Sequence, residues 1–343
     1  MNLAGKKILF LSANFFGYEK AIVKKLIEYG ATVDFYNERP SDSIISKGII
    51  RVKSNLYQRK IDHYYQKISN ETGTKNYDFF LLIKGETIPL FFLENFRERN
   101  PNAKMIFYSY DSVNEYPKFH QLYSYFDLNF TFEPKDALKY NLHFRPLFFL
   151  NEYAQSEKSV QRKHDLVFIG SAHTDRYLIG QKVRELCDEL KLRSYFYYYA
   201  PGKTTFILKK IFDKNLQKFD RKKLSFKKLS HQEIVDIYRD SFAVLDINKP
   251  FQNGLSMRTF EALASGKKLL TTNSDIKNYP FYNSENIHIL ERNDLKIKGD
   301  FFQTPFQKID SEMLERMSLD SWISCLFEKP QDDFWGVSHK KFK

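Results

Sequence analysis

A chain of 343 residues exceeds what one core usually holds, and a composition 42% hydrophobic and 17% aromatic, with 13 Gly and 11 Pro, excludes a disordered or fibrous protein. Two cysteines, Cys187 and Cys325, lie far apart and support neither a disulfide framework nor a cysteine-based zinc site, so a reducing cytoplasm fits best; no run approaches the roughly 18 apolar residues of a membrane span. The formal net charge of +12 implies attraction to something anionic, and eight of those twelve charges fall within residues 203–228, KTTFILKKIFDKNLQKFDRKKLSFKK.

The opening run MNLAGKKILFLSANFF lacks the longer apolar region and cleavage site of a signal peptide and reads as a first strand, over 6–12. Further strands are predicted at 31–37, 78–85, 104–111, 128–133 and 143–149. Between them lie a helix over 17–30 with Ile22, Leu26 and Tyr29 at helical spacing, a long polar helix near 54–72, and a helix over 88–99. Such alternation predicts a parallel sheet covered by helices. Residues 151–164 carry no apolar periodicity and read as a linker. The alternation then restarts, with strands at 165–171, 193–200, 242–248, 267–273 and 286–291 and helices near 174–191, 204–219, 230–240 and 256–265. The expected fold is α/β, two doubly wound Rossmann-like domains over 1–155 and 156–309. A last amphipathic helix and tail over 310–343 would pack back toward the first domain.

Open α/β sheets bind ligands at the carboxyl ends of their strands. In the second domain these ends include Gly170, Ser171, Asn248, Lys249 and Asn273. The stretch NGLSMRTFEALASGKKLLTTN, 253–273, reads as an N-cap at Ser256, a helix to Ala264, a left-handed stop at Gly266 and an apolar strand. Arg258 falls in the first turn, where a cation opposes the helix dipole unless an anion lies beside it. Two explanations are open, a surface Arg258–Glu261 ion pair or a bound anion.

That stretch, preceded by LSHQEIVDIYRDSFAVLDIN, resembles the donor-binding segment of GT-B glycosyltransferases, especially bacterial enzymes of surface polysaccharide assembly and the related spore-maturation type; DLVFIGSAHTDR, 165–176, adds weaker support. The resemblance implies two domains facing across a cleft, with the donor in the second. It implies that Glu261 accepts hydrogen bonds from the nucleotide ribose, that the turn at Gly254, Leu255 and Ser256 meets the diphosphate, and that Arg258 neutralises it. Gly170 and Ser171 would form the other wall, with His173 and Arg176 as phosphate or sugar contacts, and Lys228 and Leu229 would hold the base through backbone atoms. Many retaining members carry a second glutamate eight positions before the ribose-binding one; here Asn253 stands there, which leaves the stereochemistry open. No Asp-x-Asp occurs, so no metal is expected, and no cofactor beyond the nucleotide-sugar co-substrate.

By the same resemblance the first domain takes the acceptor, and a general base would be a carboxylate or histidine at its strand ends. Asp111 and Glu86 are the candidates; each reads equally as a cap or a loop ion pair, Glu19 reads as a first-turn acid, and His120 as a helix-face residue. The segment 203–228 sets Phe206, Ile207, Leu208, Ile211, Phe212, Leu216 and Phe219 among lysines, which suits either a helix packed on the sheet or a peripheral contact with an anionic bilayer. No nucleic-acid module accompanies the charge. The expected activity is a cytoplasmic, metal-independent transfer from a nucleotide-diphosphate sugar, UDP-linked, to a saccharide or lipid-linked saccharide of a capsule or lipopolysaccharide. The alternatives are a nucleotide-sugar epimerase of the same fold and a non-catalytic nucleotide-binding scaffold.

Overall fold

The computed structural model describes residues 1–40, 54–154, 162–172, 175–204, 206–207, 217, 219–330 and 333–335, without the side chains of 54–56 and 333. The chain divides into two compact units, Met1–Pro146 with Asp320–Lys343, and Leu147–Leu319. The division therefore falls between 146 and 147, not at 155.

In the first unit six parallel strands, β1 (Lys7–Ser12), β2 (Thr32–Asn37), β3 (Phe79–Ile83), β4 (Lys104–Ser109), β5 (Leu128–Thr131) and β6 (His143–Phe144), run in the order β2-β1-β3-β4-β5-β6. The central strands are near-continuous apolar runs, as strands covered on both faces must be, and Ile8, Leu9, Phe10 and Leu11 are fully buried. The helices are α1 (Tyr18–Glu28), α2 (Ser54–Thr72), α3 (Leu90–Arg99) and α4 (Pro134–Tyr140). Tyr65 from α2 and Phe92 and Phe96 from α3 join Phe80, Phe107 and Phe126 in one core. The strand expected over 143–149 is only two residues long, because Pro146 has no amide to donate to a ladder.

The second unit comprises α5 (Asn151–Ala154), β7 (His164–Ser171), α6 (Arg176–Glu189), β8 (Ser194–Tyr199), β9 (Leu224–Ser225), α7 (His231–Arg239), β10 (Ser241–Asp246), α8 (Met257–Ala264), β11 (Lys268–Thr271), β12 (Ile287–Ile289) and α9 (Ser311–Arg316). Its sheet is parallel, in the order β12-β11-β10-β7-β8-β9. The chain thus builds outward from β7 to β9, returns to β10 on the other side of β7, and builds outward again. Phe168, Tyr177, Tyr198 and Phe219 share the core, with Tyr177 stacked on Phe219 at 4.0 Å between centroids. Within the stretch read as a linker, α5 packs Tyr153 on the α7 face, its hydroxyl 3.0 Å from His231 Nδ1. Most of the helix expected over 204–219 lies outside the described residues, as do Leu208, Ile211, Phe212 and Leu216 of the basic segment; of the described residues Phe206 and Phe219 are buried in the core and Ile207 is exposed.

The single helix expected within 310–343 is two, α9 and α10 (Leu319–Phe327). The break has a visible cause: Phe149 N donates to Met317 O at 3.1 Å and Leu319 N to Phe149 O at 3.1 Å, so the backbone there pairs with residue 149 instead of continuing the helical ladder. From Asp320 onward α10 belongs to the first unit. Trp322 is fully buried against Tyr108, 4.8 Å between centroids, and Asp320 accepts from the Tyr29 hydroxyl at 2.5 Å and pairs with Lys25 at 3.1 Å. Among the described residues no helix is long and apolar enough to cross a membrane.

Candidate functional sites

In the second unit the strand order reverses between β7 and β10, so their carboxyl ends flank a topological switch point, the place where such sheets hold ligands. Gly170 and Ser171 close β7 and Asp246 closes β10. Arg258, one residue into α8, reaches across both: its Nε donates to Ile169 O at 2.9 Å, its Nη1 to Asp246 Oδ1 at 2.6 Å, and its guanidinium lies 5.4 Å from the Phe168 ring. The anion beside this first-turn cation is therefore a carboxylate of the protein itself. Although burial disfavours its charge, Asp246 holds the Arg258 pKa above the usual arginine range. Gly170 is required here because an added Cβ would lie 2.7 Å from Phe168 Cζ and 3.1 Å from Arg258 Nη2.

Two more arginines meet at the same edge. Arg176, at the start of α6, is buried and donates Nε to Ile247 O at 2.8 Å. Burial first, and then Arg258, push its pKa down to about 9. Arg292 pairs with Asp175 at 2.5 Å and donates to Asn248 Oδ1 at 2.8 Å and Thr272 Oγ1 at 3.2 Å. Three guanidiniums thus converge on this edge of the sheet with Asp175 and Asp246, and the buried Glu261 adds to the negative charge that acts on Arg258.

The turn before α8 is tied down by side chains. Asn273 Nδ2 donates to Asn253 O at 2.9 Å and Gly254 O at 3.3 Å, Gln252 Nε2 to Gly254 O at 2.7 Å, and the Asn253 amide to Asp275. Gly254 and Leu255 are buried. Ser256 occupies the N-cap position with extended backbone, but the expected capping bond is absent: its Oγ is buried without a hydrogen-bond partner among the described residues. Gly266 has φ 65°, the left-handed stop that the sequence predicts. Glu261 is buried one turn along α8, and the Tyr238 hydroxyl is driven well above its usual pKa by burial and then by Glu261 beside it. Lys228 is exposed and Leu229 half-buried, ahead of a capping box in which Ser230 Oγ accepts from Glu233 N at 3.2 Å and Glu233 accepts from Ser230 N at 2.8 Å. His173 lies outside the described residues.

The first unit has its own reversal, between β1 and β3, and both carboxylates singled out there lie at strand ends. Lys84 Nζ is 3.0 Å from Glu86 Oε1 and 3.0 Å from Asp111 Oδ2, so one ammonium bridges the two. Arg39 also pairs with Glu86. Burial opposes the charge on Glu86, but Lys84 and Arg39 outweigh it and hold the carboxyl below the usual range. Glu19 is buried and accepts from Phe15 N at 3.0 Å and Gly17 N at 3.2 Å, which fixes the β1–α1 turn. His120 is exposed on a short 3-10 turn. Among the described residues no cluster of three or more His, Cys, Asp or Glu is placed to hold a metal ion.

Sequence reasoning missed Asp246, Asp175 and Arg292 in one unit and Glu38, Arg39 and Lys84 in the other. Asp246 had a usable signal, an acid closing the otherwise apolar strand FAVLD. Arg292 and Asp175 are 117 positions apart and carry none.

No family model and no curated protein matches the chain. Among solved structures it is similar to an α,α-trehalose-phosphate synthase (UDP-forming) from Burkholderia vietnamiensis, at 11% identity over 95% of this chain and 96% of that one, with a TM-score of 0.55. It is also similar to a glycosyltransferase from Rickettsia africae ESF-5, at 14% identity over 94% and 89% of the two chains with a TM-score of 0.49. Anabaena HepE, solved in complex with UDP and glucose, gives 10% identity over 95% and 96% with a TM-score of 0.45. The likeness to the synthase shows the fold: the chain has the GT-B plan of two doubly wound α/β units.

Proposed function

We propose that the chain is a glycosyltransferase that moves a sugar from a UDP-sugar to a saccharide or lipid-linked saccharide acceptor. The observation that carries this reading is the convergence of three guanidiniums, Arg176, Arg258 and Arg292, at the second unit's switch point beside Asp175, Asp246 and Glu261. A buried arginine whose pKa is pushed down by burial and by a second guanidinium is relieved by an anion, and a diphosphate supplies one. The same charge would stabilise the leaving nucleoside diphosphate without a metal ion. Glu261 accepts from the ribose hydroxyls, the amides of residues 254–256 approach the phosphates, and the Ser256 hydroxyl gains a partner. The choice of UDP is supported by the synthase of like fold, described as UDP-forming.

Asp111 and Glu86 supply the acceptor side, with Lys84 bridging the two. A surface-polysaccharide setting, at the inner face of the plasma membrane, rests on the sequence resemblance; exposed Ile207 and Phe226 amid the lysines of 203–228 support a peripheral lipid contact.

Calorimetry with UDP tests the donor half. Hydrogen bonds to a charged group contribute about 1.5–3 kcal/mol, so Glu261→Ala weakens UDP binding on the order of ten- to a hundredfold. Affinity that is the same in both proteins overturns the assignment. UDP release that requires an added saccharide tests the transfer itself.

A further inference from the structure

Glu38 follows β2 and has no exposed surface. Its Oε2 accepts from the Gly85 amide at 2.7 Å and the Glu86 amide at 3.1 Å. The turn it grips is an unusual one. Lys84 and Gly85 both have positive φ, 86° and 74°, a conformation that strains a lysine, and an added Cβ at Gly85 would lie 2.9 Å from Leu122 Cδ1. The backbone of Glu38 is held in turn, its carbonyl accepting from Thr87 Oγ1 at 2.5 Å and from the Tyr65 hydroxyl at 2.8 Å. The turn then presents Lys84 and Glu86, and the Lys84 ammonium meets both the Glu86 carboxylate and Asp111.

We propose that Glu38 is a positioning residue: its buried carboxylate, bound to two successive amides, sets the strained turn at residues 84–86 and through it the Lys84 bridge between Glu86 and Asp111. The functional consequence rests on the reading of these carboxylates as the acceptor side, whereas the structural consequence does not. The charged and titratable groups facing Glu38 are Arg39, Glu86, Lys84 and the Tyr65 hydroxyl, with Asp111 and Tyr116 beyond Lys84. Burial and then Glu86 push its carboxyl up to about 7, against the pull of Arg39 and Lys84. The grip is therefore full above neutrality and weakens below it, when one oxygen becomes a donor and the charge that strengthens both amide bonds is gone.

Amide hydrogen exchange on the full-length protein, read by mass spectrometry over peptides that span 83–88, tests this. After correction for intrinsic rates, protection at Gly85 and Glu86 is on the order of tenfold greater at pH 8 than at pH 6 in the wild type, while β4 is unchanged. Glu38→Gln removes the difference, and Glu38→Asp, one methylene shorter, lowers protection at both pH values. Protection that ignores pH in the wild type overturns the proposal without any variant, and so does protection that keeps the wild-type pH dependence in Glu38→Gln. In the transfer assay Glu38→Gln lowers kcat about tenfold with donor KM unchanged, and a KM-only effect overturns the positioning role. A wild type that releases no UDP would sink the transferase reading instead, leaving exchange to decide the role of Glu38.

Discussion

Arg258 donates to Asp246 at 2.6 Å across the end of the sheet, one partner in the first turn of a helix and the other at the end of the preceding strand. Neither is much exposed, at 14% and 1% of the side chain. Each is the other's neutralising charge, so removing either strands a buried ion. Asp246→Ala is expected to lower unfolding free energy by about 3–5 kcal/mol, measured by urea denaturation. Arg258→Ala leaves Asp246 without its guanidinium and falls in the same range, so it is a poor probe of ligand binding. A loss under about 1 kcal/mol in both would mean that the pair is solvated.

Gly170 sits beneath that pair. Gly170→Ala forces a methyl to within 2.7 Å of Phe168 Cζ, a core ring that cannot turn aside, and against the Arg258 guanidinium. Overpacking of this kind costs about 1–3 kcal/mol. UDP affinity should fall as well, because the displaced guanidinium belongs to the arginine cluster. If stability drops while calorimetric affinity holds, the cluster does not touch the diphosphate.

How much of this was legible in sequence follows the distance between partners. The helix and strand at 257–271 could be read because their signals are local, the apolar spacing and the glycine at φ 65°. The two parallel sheets could be read from alternation alone. Arg258 could be recognised as misplaced against its helix dipole, but not paired with Asp246, because the pairing depends on where β10 ends relative to α8. Glu38 and Gly85 are 47 positions apart, and nothing in the run NERP announces a buried carboxylate. The break in the last helix was equally silent, since it comes from pairing with Phe149.

Trp322 tests whether α10 is part of the first unit's core. It is fully buried, with Tyr108 edge-on at 4.8 Å. Trp322→Ala is expected to cost about 3–5 kcal/mol. Differential calorimetry should show the loss in one transition when the units unfold separately. Asp320→Ala, which removes the Tyr29 and Lys25 contacts at a partly exposed site, should shift the midpoint in the same direction and less. Equal shifts would mean that the tryptophan contributes little packing.

The Glu38 carboxyl makes a last prediction, in which global stability and local order move oppositely with pH. Its pKa is raised in the folded protein, from an ordinary 4.5 to about 7. A group raised in this way stabilises the fold most when protonated. That contribution is complete below about 4.5 and is lost as pH rises through 7, because the unfolded chain releases the proton earlier. Between pH 4.5 and 7 the loss integrates to about 3 kcal/mol. Asp34, held below its usual range, acts in the opposite sense at lower pH and is common to wild type and variant. The quantity to measure is therefore the difference between Glu38→Gln and wild type across pH 5 to 8, by urea denaturation. The glutamine variant should gain on the wild type by up to about 3 kcal/mol over that interval. The turn at 84–86 should meanwhile be better protected in the wild type at pH 8 than at pH 6. A difference that stays constant with pH would show that Glu38 does not titrate there. A rise in wild-type stability that tracks the turn's protection would show that the carboxylate supports the whole unit instead of straining it to hold one turn.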